Sequence, residues 1–205
     1  MSEKTSAKRP SFHHGDLRAQ LIRAVRQLVE TKGADGFSIA EAARVAGVSS
    51  GAPYKHFVDR PDLLRAVAVD GLNRLRERMT LAAAKQNQGA LTAITAIGVA
   101  YVAFAKDQPG VFRLIFGLTD GHEKSDDLKQ AGERTFAVLL NAVAEHVKEG
   151  PSSPAVQETA YLMWTHVHGH AFLSIDGKRR EEKGRPDDSY YVERACRGAL
   201  ASHKS

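Results

Sequence analysis

A segment between residues 49 and 57 concentrates side chains that can donate hydrogen bonds or carry positive charge. Gly51 and Ala52, in its middle, are small enough to let a polar polymer approach the backbone closely. Groups of this kind bind phosphate oxygens and the edges of bases. The segment is therefore a candidate nucleic-acid surface. Its donors are the hydroxyl, phenol, ammonium and imidazole groups of Ser49, Ser50, Tyr54, Lys55 and His56.

Three alternating histidines form a second candidate. His166 and His170 are one helical turn apart and could share a metal ion, while His168 lies on another face. A metal site also needs a carboxylate or cysteine ligand, and none is adjacent. We therefore predict no metal site. We expect one histidine to be exposed or at an interface and another to be buried and hydrogen-bonded.

Catalytic signatures are missing from the sequence. It shows no nucleophile with a positioned base, no glycine-rich phosphate loop and no set of metal ligands. We expect a binding protein that is not an enzyme and that uses no cofactor.

Two short helices joined by a glycine turn are predicted to position the segment. Ser38 can cap the first helix, and Glu41 completes a capping box. Gly47 ends that helix, and a second helix follows over 49–57, with Pro53 tolerated in its first turn. This is the spacing of a helix-turn-helix, whose second helix enters the major groove. An ordinary helical hairpin in a core is the alternative.

The flanking sequence extends this unit. Helical spacing predicts a supporting helix over 16–32 and a long helix that starts after Asp59 and runs to about Lys85. Residues 1–11 form a basic arm that either lies along a phosphate backbone or is a disordered terminus. Residues 1–60 hold 10 Lys and Arg against 6 Asp and Glu, so they carry +4 of the net charge of +5. The basic excess lies with the helix-turn-helix, as phosphate binding requires.

These residues resemble the TetR family of bacterial transcriptional regulators over about residues 12–75. The resemblance is carried by Gly47-Val48-Ser49, Gly51, Tyr54, His56-Phe57, Arg60 and Leu63-Leu64. Arg60 stands where the family usually has lysine, which implies a phosphate contact, whereas Pro53 departs from the family pattern and implies no base contact. The implied partner is double-stranded DNA. The predicted DNA-binding residues are Ser38, Ser49, Ser50, Gly51, Ala52, Tyr54, Lys55, His56 and Arg60.

The remainder of the chain is also predicted to be helical. The motif Trp164-Thr165-His166-Val167-His168-Gly169, with His13-His14-Gly15-Asp16-Leu17-Arg18, resembles a subgroup whose C-terminal domain carries a Trp-His-Gly signature. The pattern predicts an all-α fold, with a three-helix DNA-binding domain over 12–60 and a second helical domain over 61–205, and the resemblance implies that this second domain binds an effector and forms the dimer. The predicted helices of the second half are 90–107, 111–116, 123–149, 154–175 and 190 to about 202.

Aromatic side chains are concentrated in this second half, which holds 10 of the chain's 14. They fit either a packed core or a lined cavity. The resemblance implies a small-molecule effector, with Tyr101, Thr165 or His168 as polar contacts. The predicted ligand-binding residues are Tyr101, Phe104, Phe112, Phe116, Phe136, Met163, Trp164, His168 and Phe172.

The resemblance also implies a homodimer in which the last two helices pair with their copies across a two-fold axis. Such a dimer reads a palindromic operator. We expect a repressor that leaves its operator when an apolar or aromatic effector binds. A helix-turn-helix factor without an effector is the alternative.

Location follows from three further features. No apolar stretch opens the chain, so no secretory signal is expected. The apolar run over 90–105 is short for a membrane span and predicts a buried core helix. A single cysteine, Cys196, rules out an intramolecular disulfide and fits a reducing compartment. We therefore expect a cytoplasmic protein with no membrane partner.

Overall fold

The structure is a computed structural model that describes residues 14–86, 89–117, 125–178 and 186–202. These described residues form helices and turns and contain no strand, so the predicted all-α fold is confirmed. The chain divides into two compact units, Met1–Leu64 and Arg65–Ser205. The predicted basic arm at residues 1–11 lies outside the described residues.

The first unit consists of α1 (His14–Lys32), α2 (Ile39–Val45), a 3-10 turn (Pro53–Lys55) and the start of α3 (Arg60–Ala84). Its core is apolar and comes from every one of these elements. The fully or almost fully buried side chains include Leu21, Val25, Val29, Ala42, Ala43, Phe57 and Leu63. Helices this short gain most of their stability from such packing.

The predicted second helix of the motif, over 49–57, is wrong in its extent. Only Pro53–Lys55 is helical, as a single 3-10 turn, and Ala52 precedes it without a side-chain cap. Pro53 has no N–H, so it cannot donate the α-helical hydrogen bond back to Ser49. Tighter bonds form instead, from Ala52 N to the Ser49 carbonyl (3.0 Å) and from His56 N to the Pro53 carbonyl (2.9 Å).

The second unit contains the rest of α3 and five further helices. These are α4 (Ala90–Asp107), α5 (Pro109–Gly117), α6 (Asp126–Val147), α7 (Pro154–Ile175) and α8 (Asp188–Ser202). By length and composition α4 could cross a membrane. In this unit, however, it packs against α5, α6, α7 and α8. An apolar helix buried among helices is what a soluble core also requires.

Several helix ends differ from the sequence prediction, since α1, α5 and α8 each begin two residues earlier than predicted and α6 differs at both ends. The described part of α6 begins after Ser125, whose Oγ accepts a hydrogen bond from Leu128 N (3.4 Å). The helix then ends at Lys148, which adopts a left-handed conformation (φ 65°), and not at Gly150. The Lys148 and Glu149 N–H groups both reach the Ala144 carbonyl, which completes the helix end before the glycine.

Candidate nucleic-acid interface and ligand cavity

At the start of α2, only one of the two predicted capping-box hydrogen bonds forms. Ser38 Oγ accepts a hydrogen bond from Glu41 N (3.2 Å), as predicted. The predicted second bond, from Ser38 N–H to the Glu41 carboxylate, does not form. The Glu41 carboxylate instead pairs with Lys32 Nζ (2.7 Å) and Arg44 Nη2 (3.2 Å), and the bond from Lys32 holds its pKa below the usual value. The pair with Lys32 attaches α2 to the end of α1.

Gly47 provides the turn that the sequence predicted. Its φ of 71° lies in the left-handed region, where a Cβ would be strained. The turn is closed by Gly47 N donating to the Arg44 carbonyl (3.1 Å) and by Val48 N donating to the Ala43 carbonyl (3.0 Å). The chain therefore leaves α2 sharply and enters the segment over 49–57, which we call the recognition segment.

Exposure divides the recognition segment into two sets. Ala52 and Pro53 are buried against the unit, whereas Tyr54 is 61% exposed. The exposed set consists of Ser49, Ser50, Gly51, Tyr54 and Lys55, and His56 is half-buried. An added Cβ at Gly51 would meet no atom within 4 Å, so this part of the surface is open. Five of the nine predicted DNA-binding residues are thus exposed in this segment, whereas Ala52, also predicted to bind DNA, is buried.

Buried contacts fix the end of the segment. Phe57 is buried, and the Arg18 guanidinium lies 5.2 Å from the centroid of its ring. Beyond it, Asp62 N donates to Asp59 Oδ1 (2.7 Å), and Val58 N donates to Asp62 Oδ2 (3.1 Å). This is a reciprocal cap at the start of α3. The start of α3 after Asp59 was predicted, but the return bond to Asp62 was not.

Arg60 lies at the same junction but makes intramolecular contacts. Its guanidinium stacks 5.0 Å from the centroid of Phe37, donates to the Ala34 carbonyl and lies 3.6 Å from Asp35 Oδ1. Arg60 therefore ties the start of α3 to the loop between α1 and α2. Its phosphate contact stays a prediction.

The second unit encloses a cavity of about 390 Å³, walled mainly by apolar side chains. Volumes of this order accommodate small organic molecules. Five of the nine predicted ligand-binding residues lie on its wall. They are Tyr101, Phe116, Phe136, Met163 and Trp164.

The other four predicted residues lie outside the described wall. Phe104 is fully buried, with the guanidinium carbons of Arg74 and Arg78 at 5.7 and 5.4 Å from its ring centroid. Phe112, His168 and Phe172 form an aromatic cluster next to the cavity, together with Phe116. These three side chains support the wall from behind.

The other twelve wall residues were not predicted to line a cavity, because most of them look like ordinary core positions. They come from α3, α4, α6, α7 and α8. The missed residues are Leu72, Met79, Ile94, Ile97, Gly98, Gly132, Glu133, Thr135, Leu139, Tyr161, Val167 and Cys196. Their helical spacing gave no sign that a cavity, and not a partner side chain, lies opposite them.

Tyr101, on the cavity wall, makes a polar contact with His168, with Tyr101 Oη 2.7 Å from His168 Nδ1. Burial lowers the pKa of His168, so the imidazole is neutral at pH 7 and one of its ring nitrogens can accept a hydrogen bond. Burial also raises the pKa of Tyr101, and a hydrogen bond with Trp164 opposes that shift. The pair is therefore uncharged at neutral pH.

Two other wall groups are also neutral or internally satisfied. Thr135 Oγ1 donates to the carbonyls of Ala131 (2.8 Å) and Leu72 (3.2 Å), which links α6 to α3. Burial raises the pKa of Cys196 to about 11, so its side chain is a thiol at neutral pH.

The other two histidines are separated from His168 by their surroundings. His166 is exposed, while His170 Nε2 lies 3.0 Å from Asp188 Oδ1 and its ring stacks on Tyr191. Within the described part of the chain, no group of three or more His, Cys, Asp or Glu side chains could hold a metal ion.

Family comparisons agree with both halves of this architecture. Residues 21–67 match the model of the bacterial regulatory proteins of the tetR family. Residues 94–195 match the model of the tetracyclin repressor-like C-terminal domain. No curated protein matches the sequence. The Trp-His-Gly subgroup suggested by the sequence stays a prediction.

Solved structures are similar over almost the whole chain. A protein of unknown function from Rhodococcus sp. RHA1 is 29% identical, with a TM-score of 0.73 over 94% of this chain and 95% of its own. A TetR family transcription regulator from Marinobacter aquaeolei VT8 is 17% identical, with a TM-score of 0.66 over 92% of this chain and 95% of its own. A tetR-family transcriptional regulator from Streptomyces coelicolor is also 17% identical, with a TM-score of 0.72 over 93% and 81%.

The two family matches cover the unit that carries the recognition segment and the unit that carries the cavity. The chain therefore belongs to the TetR family and is a DNA-binding transcriptional regulator.

Proposed function

We propose that this regulator is a repressor that leaves a palindromic operator when a small apolar or aromatic effector enters the cavity. The observation that carries the proposal is that the cavity wall includes Leu72 and Met79 of α3. The same helix begins at Arg60, directly after the recognition segment. A ligand in the cavity thus touches the helix that leads from the DNA-binding unit.

In this proposal, DNA is recognised by the exposed residues of the recognition segment. Lys55 and Tyr54 can reach phosphates or bases, and Ser49 and Ser50 can donate to phosphates. Gly51 leaves the backbone open to close approach. The +4 charge of residues 1–60 supports the phosphate contacts.

The proposed homodimer uses the outer faces of α7 and α8. Leu162 and Leu173 of α7 and Tyr190 of α8 are large apolar side chains that are about half exposed in the single chain. Gly169, between the two leucines, is exposed and leaves room for a second helix. Pairing these faces across a two-fold axis buries them, and the two-fold implies a palindromic operator.

Release from DNA follows from linkage between the two sites. The effector must bind one arrangement of α3 better than another, because a ligand with equal affinity for both changes nothing. A coupling free energy of about 1–3 kcal/mol changes operator affinity by roughly 5- to 150-fold. A factor without an effector would be expected to fill its core, so the cavity of about 390 Å³ supports the effector-responsive form. We place this activity in the cytoplasm.

The test is binding of the purified protein to the DNA upstream of its own coding sequence, measured by fluorescence anisotropy at a stated salt concentration. Tyr54→Ala and Lys55→Ala should each weaken binding by about 5- to 100-fold, because each removes a base or phosphate contact. Lys129→Ala is the control, since Lys129 is an exposed lysine on α6 in the other unit. Unchanged affinity in both recognition variants contradicts the proposal.

A further inference from the structure

A groove lies on the outer surface of the second unit, between α3 and α6. Its volume is about 630 Å³, and it is open to solvent. The groove and the cavity have no described wall residue in common, because they lie on different faces of both helices. On the cavity side, the Thr135 hydroxyl donates to the Leu72 carbonyl (3.2 Å) and joins the two helices. The groove is therefore a separate space, which the proposed function does not use.

The wall of the groove carries an excess of positive charge. It includes three guanidinium groups, those of Arg74, Arg76 and Arg134. The carboxylate of Glu77 is the one acidic group among the described wall residues. Arg74 is already paired with Asp70 Oδ2 (2.8 Å). Arg76 and Arg134 form no ion pair with a carboxylate among the residues that the structure describes. An anion in the groove would therefore meet two guanidinium groups whose charge no ion pair neutralises.

Hydrogen-bond donors predominate among the neutral groups of the same wall. The side-chain amides of Asn73 and Asn141 can each donate as well as accept. The Thr80 hydroxyl donates to the Arg76 carbonyl (2.9 Å), so its oxygen is left as an acceptor. Together with the guanidinium groups of Arg76 and Arg134, the amides offer a set of donors to an anion of several oxygens.

A phosphate group suits this set better than a carboxylate does. A phosphate monoester carries a charge of about −1.5 to −2 at pH 7 and three strong acceptor oxygens. A guanidinium group binds two of these oxygens with a pair of parallel hydrogen bonds. A carboxylate has one charge and two oxygens, so it cannot satisfy Arg76 and Arg134 together in the same way.

Part of the groove wall is apolar. Leu81 of α3 is 54% exposed, and Ala137 and Val138 of α6 are half-buried beside the arginine side chains. A free phosphate ion would leave these side chains facing water. An organic group attached to the phosphate would cover them, and burial of apolar surface favours binding.

We propose that this groove binds a small organic phosphate, with its phosphate on Arg76 and Arg134 and its organic group on Leu81 and Val138. The proposal goes beyond the proposed function, and it holds whether or not the cavity is the effector site. Since Arg76 and Leu81 belong to α3, the bound molecule would contact the same helix as a ligand in the cavity.

The test is isothermal titration calorimetry at neutral pH with two probes, inorganic phosphate and 1-naphthyl phosphate. The ester should bind about 5- to 50-fold tighter than inorganic phosphate, because its ring buries apolar surface of the groove. Raising the NaCl concentration from about 0.05 M to about 0.3 M should weaken both by at least about threefold, because salt screens the guanidinium charges.

Variants locate the binding in the groove. Arg76→Gln combined with Arg134→Gln removes both guanidinium groups and should weaken both probes at least about tenfold. The matched control combines Lys129→Gln and Arg197→Gln, which removes two positive charges outside the groove and should change affinity less than about twofold. Leu81→Ala should lower the preference for the ester about two- to fivefold and leave inorganic phosphate unaffected.

Four results would overturn the proposal. They are no binding of 1-naphthyl phosphate, binding that the double arginine variant leaves unchanged, equal losses in that variant and its control, and an ester preference that Leu81→Ala does not lower. Lys55→Ala tests the recognition segment as a competing anion site, and loss of the ester in that variant also counts against the groove. Circular dichroism of each variant confirms that the helices are retained.

Sedimentation velocity distinguishes a second copy of the chain from a phosphate as the occupant. The double arginine variant should keep the oligomeric state of the unaltered protein, because the groove lies between α3 and α6 and the proposed dimer uses α7 and α8. A change of oligomeric state in that variant would mean that a second copy covers the groove, and the proposal would fail.

Discussion

The recognition segment and the cavity are built in opposite ways. The recognition segment occupies nine consecutive residues and presents its polar groups to solvent. The cavity collects its wall from Leu72 to Cys196, across six helices. One surface is therefore a local property of the chain, and the other exists only after distant helices have packed.

The polar groups of the two regions also differ, in whether they are available to a partner. Ser49, Ser50 and Lys55 are exposed, so they are available to DNA. In the cavity, the Thr135 proton is already used inside the unit, and the Tyr101 hydroxyl is already hydrogen-bonded to His168. The first region can be altered with little effect on stability, whereas the second carries both binding and folding. Four measurements test this contrast.

Removal of a buried aromatic ring should have the largest effect on the free energy of unfolding. Phe104→Ala removes a side chain that is 0% exposed, so the free energy of unfolding should fall by about 3–5 kcal/mol. Tyr54→Ala removes an exposed ring and should change it by less than about 0.5 kcal/mol, although DNA binding should weaken. Urea unfolding followed by circular dichroism measures both. Similar losses in the two variants would break the contrast.

A single methyl group should also distinguish the regions. In Gly98→Ala the new Cβ would lie 2.6 Å from Val192 Cγ1, so overpacking should cost about 1–3 kcal/mol. Gly51→Ala meets no atom within 4 Å and should be close to neutral. Gly132→Ala, in α6 with open space around its Cβ, should stabilise the protein by about 0.5–1 kcal/mol. Urea midpoints at one protein concentration rank the three, and destabilisation by Gly132→Ala would contradict an open cavity.

Alkaline pH should lower the stability of the folded protein through Cys196, a residue of the cavity wall. The unfolded chain releases the Cys196 proton near pH 9, whereas burial raises the folded pKa to about 11. Between these values the folded state holds more protons, so stability falls as pH rises, by about 2 kcal/mol at pH 11. Burial of Tyr101 acts in the same direction. Unfolding measured from pH 8 to 11 should therefore be less steep with pH in Cys196→Ala. An identical slope would place the thiol in water.

The smallest expected effect on stability is the loss of a helix cap, which can be compared between the two units. Ser38 Oγ accepts from Glu41 N at 3.2 Å in the first unit, and Ser125 Oγ accepts from Leu128 N at 3.4 Å in the second. Each change to alanine should cost about 1 kcal/mol. Only Ser38→Ala should also weaken operator binding, measured by anisotropy. If both variants bind DNA normally, the predicted contact at Ser38 is wrong.

Sequence patterns were sufficient for features that depend on neighbours in the chain. The Ser38 cap and the Gly47 turn are confirmed because each is decided within a few residues. Pro53 shows the limit of that reasoning. Its place in a first turn is compatible with an α-helix over 49–57, but its missing N–H removes the bond to Ser49 and the segment forms only one 3-10 turn.

Side-chain partners from other helices could not be predicted. Glu41 was assigned to a cap, but Lys32 competes successfully for its carboxylate because α1 ends beside α2. The phosphate contact of Arg60 stays a prediction, but its contacts with Phe37 and Asp35 could not be predicted from the sequence. Both cases depend on a loop of 33–38 that sequence periodicity does not describe.

The sequence by itself determined the helices, the recognition segment and the family, because capping, turn geometry and apolar spacing act over a few residues. Tertiary structure alone decided which aromatic side chains became wall and which became core. Phe104 and Phe136 have the same side chain on helices of the same unit, yet only Phe136 faces the cavity. The reason is physical, since a cavity is space left between helices and no single helix encodes what lies opposite it.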